Sequence, residues 1–136
     1  MGIRKSEAEY KGEMRDEINS EGGFATRIED QYRVGFPDLI LCMPQTGIII
    51  AEAKVFDGNI FRPRSRQYIE MCRIEDGGGK TVLIGVKNDK HYLHSLLRDD
   101  ILRGTVHKDD CIVQDDDESF VGVFLRWFKE TKNERQ

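Results

Sequence analysis

Apolar positions along the chain fall into short, distinct patterns, and each predicts an element. Over 6–18, Tyr10, Met14 and Ile18 form one stripe at helical spacing. Ser6 suits the N-cap, and Glu7 and Glu9 favour the first turn. Gly22-Gly23 ends that helix. Residues 24–28 alternate apolar and polar side chains, as a half-buried strand does, and 30–37 form a connection ending in Gly35-Phe36-Pro37. Two continuous apolar runs, 39–43 and 48–53, flank Pro44-Gln45-Thr46-Gly47 and predict a hairpin of buried strands. Residues 55–63 read as a loop. A helix is expected over 64–75, with Tyr68, Met71 and Cys72 on one side. Gly77-Gly78-Gly79 breaks the chain before another buried strand, 81–86. Leu93, Leu96, Leu97 and Ile101 predict an amphipathic helix over 91–103. After an acidic loop, 120–129 reads as a last helix, although Phe120-Val121-Gly122-Val123 also suits a strand.

The order is helix, three strands, helix, strand, helix and a final element. It predicts an α/β fold with a central mixed β-sheet flanked by helices. No repeat interrupts it. At 136 residues the chain has the length of one domain.

Composition adds limits. Hydrophobic content of 38% beside 34% charged residues fits a soluble globular protein. No apolar run approaches the roughly 18 residues that span a bilayer, so no membrane partner is expected. The first residues lack the apolar core of a signal peptide. Gly2 followed by Ser6 fits a myristoylation pattern only loosely, and an ordinary N-terminus is the better reading. Cys42, Cys72 and Cys111 are odd in number and widely spaced, which indicates neither a disulfide framework nor a zinc ribbon. An intracellular, reduced protein is expected.

The net charge of −4 at first argues against a nucleic-acid partner. Its distribution matters more. Residues 54–73 carry Lys54, Arg62, Arg64, Arg66 and Arg73 against Asp57 and Glu70, whereas 109–118 carry six acids and no base. One face could meet phosphate while another repels it.

The chemistry concentrates in Gly35-Phe36-Pro37-Asp38 and Glu52-Ala53-Lys54. On an extended strand Glu52 and Lys54 leave one face and Ala53 the other. Asp38 starts the antiparallel neighbour, and a turn near Thr46 returns it to the side of Glu52. Two carboxylates and an ammonium then converge at the edge of a buried sheet. Crowded carboxylates need cationic compensation. Lys54 neutralises part of the charge, and hard oxygen ligands of this kind suit Mg²⁺ or Mn²⁺ rather than zinc. Such a site favours phosphoryl transfer, with a metal to polarise the phosphodiester and acidify a water and Lys54 to hold that water or the developing charge. A structural ion pair at a strand end is the plainer alternative.

Pro37-Asp38 followed by Glu52-Ala53-Lys54 resembles the motif of the PD-(D/E)xK nuclease superfamily. The surroundings are most similar to its small VRR-NUC-type and phage-borne members. In these a helix precedes a strand like Arg27-Ile28-Glu29, then a Gly-x-Pro-Asp turn, the Glu-x-Lys strand, and a helix bearing a Gln. The resemblance covers about 6–90, leaving 91–136 as a C-terminal helical extension of a single nuclease domain. It implies a restriction-endonuclease-like core and Mg²⁺-dependent hydrolysis of DNA. Asp38, Glu52 and the Ala53 carbonyl would bind the metal, with Lys54 assisting the nucleophile.

The family usually adds an acid from the first helix, for which Glu7, Glu9, Glu13 and Glu17 are the candidates. At 100° per residue Glu7 falls within the Tyr10–Met14–Ile18 stripe, Glu9 and Glu13 lie well off it, and Glu17 lies near its edge. An acid on a core-facing stripe is costly without a partner, which favours Glu7 as catalytic residue and metal ligand over Glu7 as a simple cap. Gln67 matches the family's Gln, which orients substrate or metal-bound water, although a solvated helix Gln fits nearly as well. Arg62, Arg64 and Arg66 adjoin Lys54 and suit DNA phosphate contacts.

Three other patterns fall short. Gly79-Lys80-Thr81 lacks the upstream Gly and the preceding strand of a P-loop. His91 and His94 would sit one helical turn apart, with only His107 and Cys111 as further soft ligands. Asp115-Asp116-Asp117-Glu118 lacks calcium-loop spacing. The expectation is a Mg²⁺-dependent endonuclease acting on DNA, as a homodimer selective for branched or four-way-junction substrates by analogy. The rival is a non-catalytic nucleic-acid-binding or assembly module on the same fold.

Overall fold

The computed structural model describes residues 5–28, 37–97 and 99–134, with the backbone alone for 99, 101 and 132–134. Gly2, Glu29, Gly35 and Phe36, and most of the 30–37 connection, lie outside them.

Helix α1 (Glu7–Ser20) starts at Ser6, whose hydroxyl accepts the Glu9 N–H while the Glu9 carboxylate accepts the Ser6 N–H. Tyr10, Met14 and Ile18 are its buried stripe, joined by Lys11. Gly22, at φ +89°, turns the chain out of the helix. A Cβ on Gly23 would fall 2.4 Å from the Cys42 carbonyl oxygen, so the chain crosses there only as glycine.

Strand β1 (Phe24–Arg27) pairs antiparallel with β2 (Leu39–Met43), which pairs antiparallel with β3 (Gly47–Val55). The turn between β2 and β3 closes on the buried Thr46, whose hydroxyl accepts the Met43 N–H. A short strand β4 (Ile60–Phe61) lies within the expected loop, and α2 (Ser65–Asp76) follows. The helix supplies the crossover by which β5 (Thr81–Lys87) pairs parallel to β3.

The segment 91–103 is not one helix. Residues Lys90–His94 form β6, antiparallel to β5, and among the described residues of the segment only Asp99–Arg103 are helical, as α3. Asn88 and Asp89 both take positive φ, 51° and 62°, which is the two-residue turn that folds one strand back on the next. Pairing with β5 outweighs the helical spacing of the leucines. The region beyond 90 is therefore more than a helical extension. It also gives β7 (Val106–His107), which pairs with β4, and β8 (Ile112–Val113), which pairs with β6. Helix α4 (Phe120–Glu134) resolves 120–123 as helix.

The result is an α/β fold with a mixed six-stranded sheet, β1-β2-β3-β5-β6-β8. Leu39, Leu41, Ile49, Ala51, Ala53, Val82 and Ile84 form one core cluster with Tyr10, Met14 and Ile18 of α1 and Phe120, Phe124 and Trp127 of α4. Phe56, Phe61, Leu83 and Val106 form a second with Tyr68 and Met71 of α2. Helices thus flank the sheet on both faces. Glu52 and Lys54 register with Leu83 and Gly85 and leave on the α2 side, opposite Ala53. None of the helices among the described residues is long and apolar enough to cross a membrane.

Candidate metal centre

Hairpin register decides the site. Leu39 pairs with Ala51, so Asp38 falls opposite Glu52 at the open end of β2. The Asp38 backbone N–H donates to Glu52 Oε2 at 3.1 Å, locking the two together. Glu7 reaches the same place from the first turn of α1. One carboxylate oxygen from each of Glu7, Asp38 and Glu52 lies within 4.8 Å of the others. Among the described residues this is the one cluster of three or more such ligating groups.

The other candidate glutamates of α1 are engaged elsewhere. Glu9 caps its own helix, Glu13 pairs with Lys5 at 2.8 Å, and Glu17 accepts the Val121 N–H at the start of α4. Tyr10 donates to Asp89 at 2.8 Å, which ties α1 to the β5–β6 turn and fixes the helix end that carries Glu7.

Two ammonium groups balance the three carboxylates. Lys54 Nζ stands 3.5 Å from Glu52 Oε1 and 3.6 Å from Glu7 Oε1. Lys11, one turn after Glu7, stands 3.1 Å from Glu7 Oε1 and makes a close ion pair with Asp38 Oδ2. Lys11 is only 5% exposed. Sequence reasoning missed it. The signal was present, since Lys11 lies four residues after Glu7 on the inward stripe, where a lysine needs an acid as much as an acid needs a base.

Glu52 is the stressed member. It is fully buried, and its Oε1 has no hydrogen-bond donor, Lys54 being an ion-pair neighbour without hydrogen-bond geometry. Burial above all, then the Asp38 charge, pushes its pKa up to about 7 against the opposing pull of Lys54, Lys11 and the Asp38 N–H. Burial works against the Lys11 ammonium, but Asp38, Glu52 and Glu7 together raise its pKa and keep it charged.

The raised Glu52 pKa has a consequence for the metal-free protein. An acid whose folded pKa exceeds its unfolded value stabilises while protonated, and that stability is lost as pH rises through about 7. In EDTA, Glu52→Gln is expected to gain on wild type in melting temperature between pH 5 and pH 8. The shift corresponds to about 3 kcal/mol at most. A gap that stays constant across that range would show that Glu52 ionises without strain.

The remaining sequence candidates are more dispersed. Gln67 is buried, and its Oε1 accepts the Arg64 N–H at 2.8 Å, so it fixes the first turn of α2. Arg62, Arg64 and Arg66 are exposed around that turn. His91 and His94 lie on a strand instead of a helix and have separate partners. His91 Nδ1 meets Gln114 at 2.8 Å, and burial lowers its pKa. His94 Nε2 meets the buried Asp100 at 2.9 Å; burial opposes its charge, but Asp100 raises its pKa overall. Lys80-Thr81 follows a helix and enters a strand, the reverse of a P-loop. In the acidic loop, Asp116 pairs with Lys90 and Glu118 with Arg126. The three cysteines are free thiols.

No protein-family model matches the chain, and no curated protein does.

Proposed function

We propose that this chain is a Mg²⁺-dependent DNA endonuclease with a restriction-endonuclease-like core of the PD-(D/E)xK type. One observation carries the reading. Glu7, Asp38 and Glu52 bring oxygens within 4.8 Å of one another, and the buried Glu52 Oε1 lacks a hydrogen-bond donor. A buried carboxylate oxygen in that position calls for a proton or a cation. Hard oxygen donors select Mg²⁺ or Mn²⁺, so the residues present fit the ion the motif implies.

Glu7, Asp38, Glu52 and the Ala53 carbonyl would hold the metal. When bound, it supplies charge to polarise the phosphodiester and lower the pKa of the attacking water. The chain's own residues do the rest. Asp38 and Glu52 are preorganised by the Asp38 N–H, which needs no rearrangement. Lys54, anchored by Glu52 and Glu7, orients water and offsets negative charge on the phosphoryl oxygens as one P–O bond forms and another breaks. Gln67 steadies the α2 turn that presents Arg64 and Arg66, which with Arg62 would bind flanking phosphates. Charge reversal at the three arginines is therefore expected to weaken DNA binding and flatten its salt dependence by about three phosphate contacts. Equal salt slopes would remove them from the interface. Two such sites in a homodimer would serve branched or four-way-junction DNA.

The direct test incubates purified protein with linear, flapped, single-stranded and four-way-junction DNA, in Mg²⁺ or EDTA. Cleavage of at least one substrate in Mg²⁺, absent in EDTA, is expected. Cleavage undiminished by EDTA, or DNA binding without cleavage in Mg²⁺ and Mn²⁺, would overturn the reading. The second outcome would favour a non-catalytic binding module.

A further inference from the structure

We infer that Lys11 is a resident counter-cation, which holds the carboxylate cluster together when no metal is present and competes with a divalent ion for Asp38. The inference rests on the metal-binding part of the proposed function and is independent of what the protein cuts.

The two lysines divide the cluster between them. Lys54 serves Glu52 and Glu7, at 3.5 and 3.6 Å. Lys11 serves Asp38 and Glu7, in a close contact and at 3.1 Å. Lys54 issues from a strand beside Glu52, as the motif requires. Lys11 comes from a different element, and the motif has no place for it. A lysine 5% exposed in the stripe of a helix gives up hydration that only the carboxylates restore. Its position is therefore bound to theirs.

A divalent ion that Asp38 helped to hold would share that carboxylate with the Lys11 ammonium. Two cations on one carboxylate repel, and although the Asp38 side chain is 31% exposed, the Lys11 ammonium, buried on its own side, has little water to screen it. Lys11 must then yield. Its side chain is buried along with Tyr10 and Met14 of the same helix, and four flexible carbons let the ammonium move while the stem stays. Metal affinity is thus set partly by a competitor built into α1. The gain is a stable apo protein, because Lys11 screens three carboxylates that would otherwise repel one another.

Lys11→Met keeps most of the stem and removes the charge. Calorimetry with Mn²⁺ alone, without DNA, compares it with wild type and Lys11→Arg. Lys11→Met is expected to bind Mn²⁺ more tightly, on the order of tenfold or more. It should also melt at lower temperature than wild type in EDTA and recover in Mn²⁺. Lys11→Arg, which keeps the charge, should stay near wild type in affinity. If Lys11→Met does not fold in EDTA, refolding on addition of Mn²⁺ supports the inference, and failure to refold overturns it. Equal or weaker Mn²⁺ affinity in Lys11→Met, or no Mn²⁺ binding by either protein, also overturns it. Tighter binding by Lys11→Met in a protein that cuts no DNA would leave Lys11 as inferred and remove the nuclease reading alone.

Discussion

Asp38→Asn and Glu52→Gln are each expected to abolish Mg²⁺-dependent DNA cleavage, a loss on the order of 10³-fold or more, while leaving the fold intact. The loss follows from what each carboxylate does. Together they supply two of the three clustered oxygens, and neutralising either would weaken the proposed hold on a divalent ion. The intact fold follows from what survives. The bond from the Asp38 N–H to Glu52 uses a backbone donor, so Asp38→Asn keeps it, and Gln at 52 can still accept it. Asn at 38 can likewise accept from Lys11. Glu52→Gln removes a like charge that burial disfavours, so its metal-free melting temperature should hold or rise, whereas Asp38→Asn also removes the charge that Lys11 pairs with and should melt somewhat lower while remaining folded. Cleavage rates, melting in EDTA and circular dichroism measured together decide the matter. Either variant cutting at the wild-type rate would show that the site is wrongly assigned. Loss of activity through unfolding would say only that the cluster is structural.

The second large effect belongs to Lys54. As a cation it cannot ligate the metal, yet it stands 3.5 Å from Glu52 Oε1. Lys54→Met removes only the ammonium and retains the stem. Metal binding should persist or tighten, since one positive neighbour is gone. DNA binding should weaken by about one phosphate contact. Single-turnover cleavage should fall far more, on the order of 10²-fold or greater, as when a preorganised transition-state partner is removed. Calorimetry with Mn²⁺ beside single-turnover cleavage separates these effects. Wild-type cleavage would strip the reading of its most specific support. Loss of metal together with activity would make Lys54 a structural ion-pair partner. The contrast with Lys11 is informative: both lysines should restrain metal affinity, but only Lys54 issues from the motif strand beside Glu52.

Much of this site was legible because short-range rules determine it. Once 39–43 and 48–53 are strands joined by a tight turn, Asp38 must return beside Glu52, and the alternation of β3 puts Lys54 on the face of Glu52. Glu7 was legible for a similar reason, since an acid on an inward helical stripe needs a partner. Lys11 satisfied the same condition, but as a base on the first helix it belongs to no part of the motif. Elsewhere the determinants are long-range. Residues 91–103 carry leucines at convincing helical spacing, yet β5 lies directly before them with an open edge and a two-residue turn between. Pairing with β5 decides for β6. Strands β4, β7 and β8 are two residues each, too short for periodicity, and exist only because a partner from another part of the chain lies alongside. Helix α4 was legible, but its place against α1 was not. It rests on core contacts such as Phe124 and Trp127, and on Glu17 accepting the Val121 N–H.

The claim that these carboxylates form a divalent-cation site can be tested without any choice of DNA substrate. Crystals of the wild-type protein soaked in Mn²⁺ would be measured where manganese scatters anomalously. The expected result is an anomalous peak among the carboxylate oxygens of Glu7, Asp38 and Glu52, with the Lys11 ammonium moved off Asp38. A map with no peak there, or with manganese bound only at other residues while these three carboxylates keep their lysine partners, would contradict it.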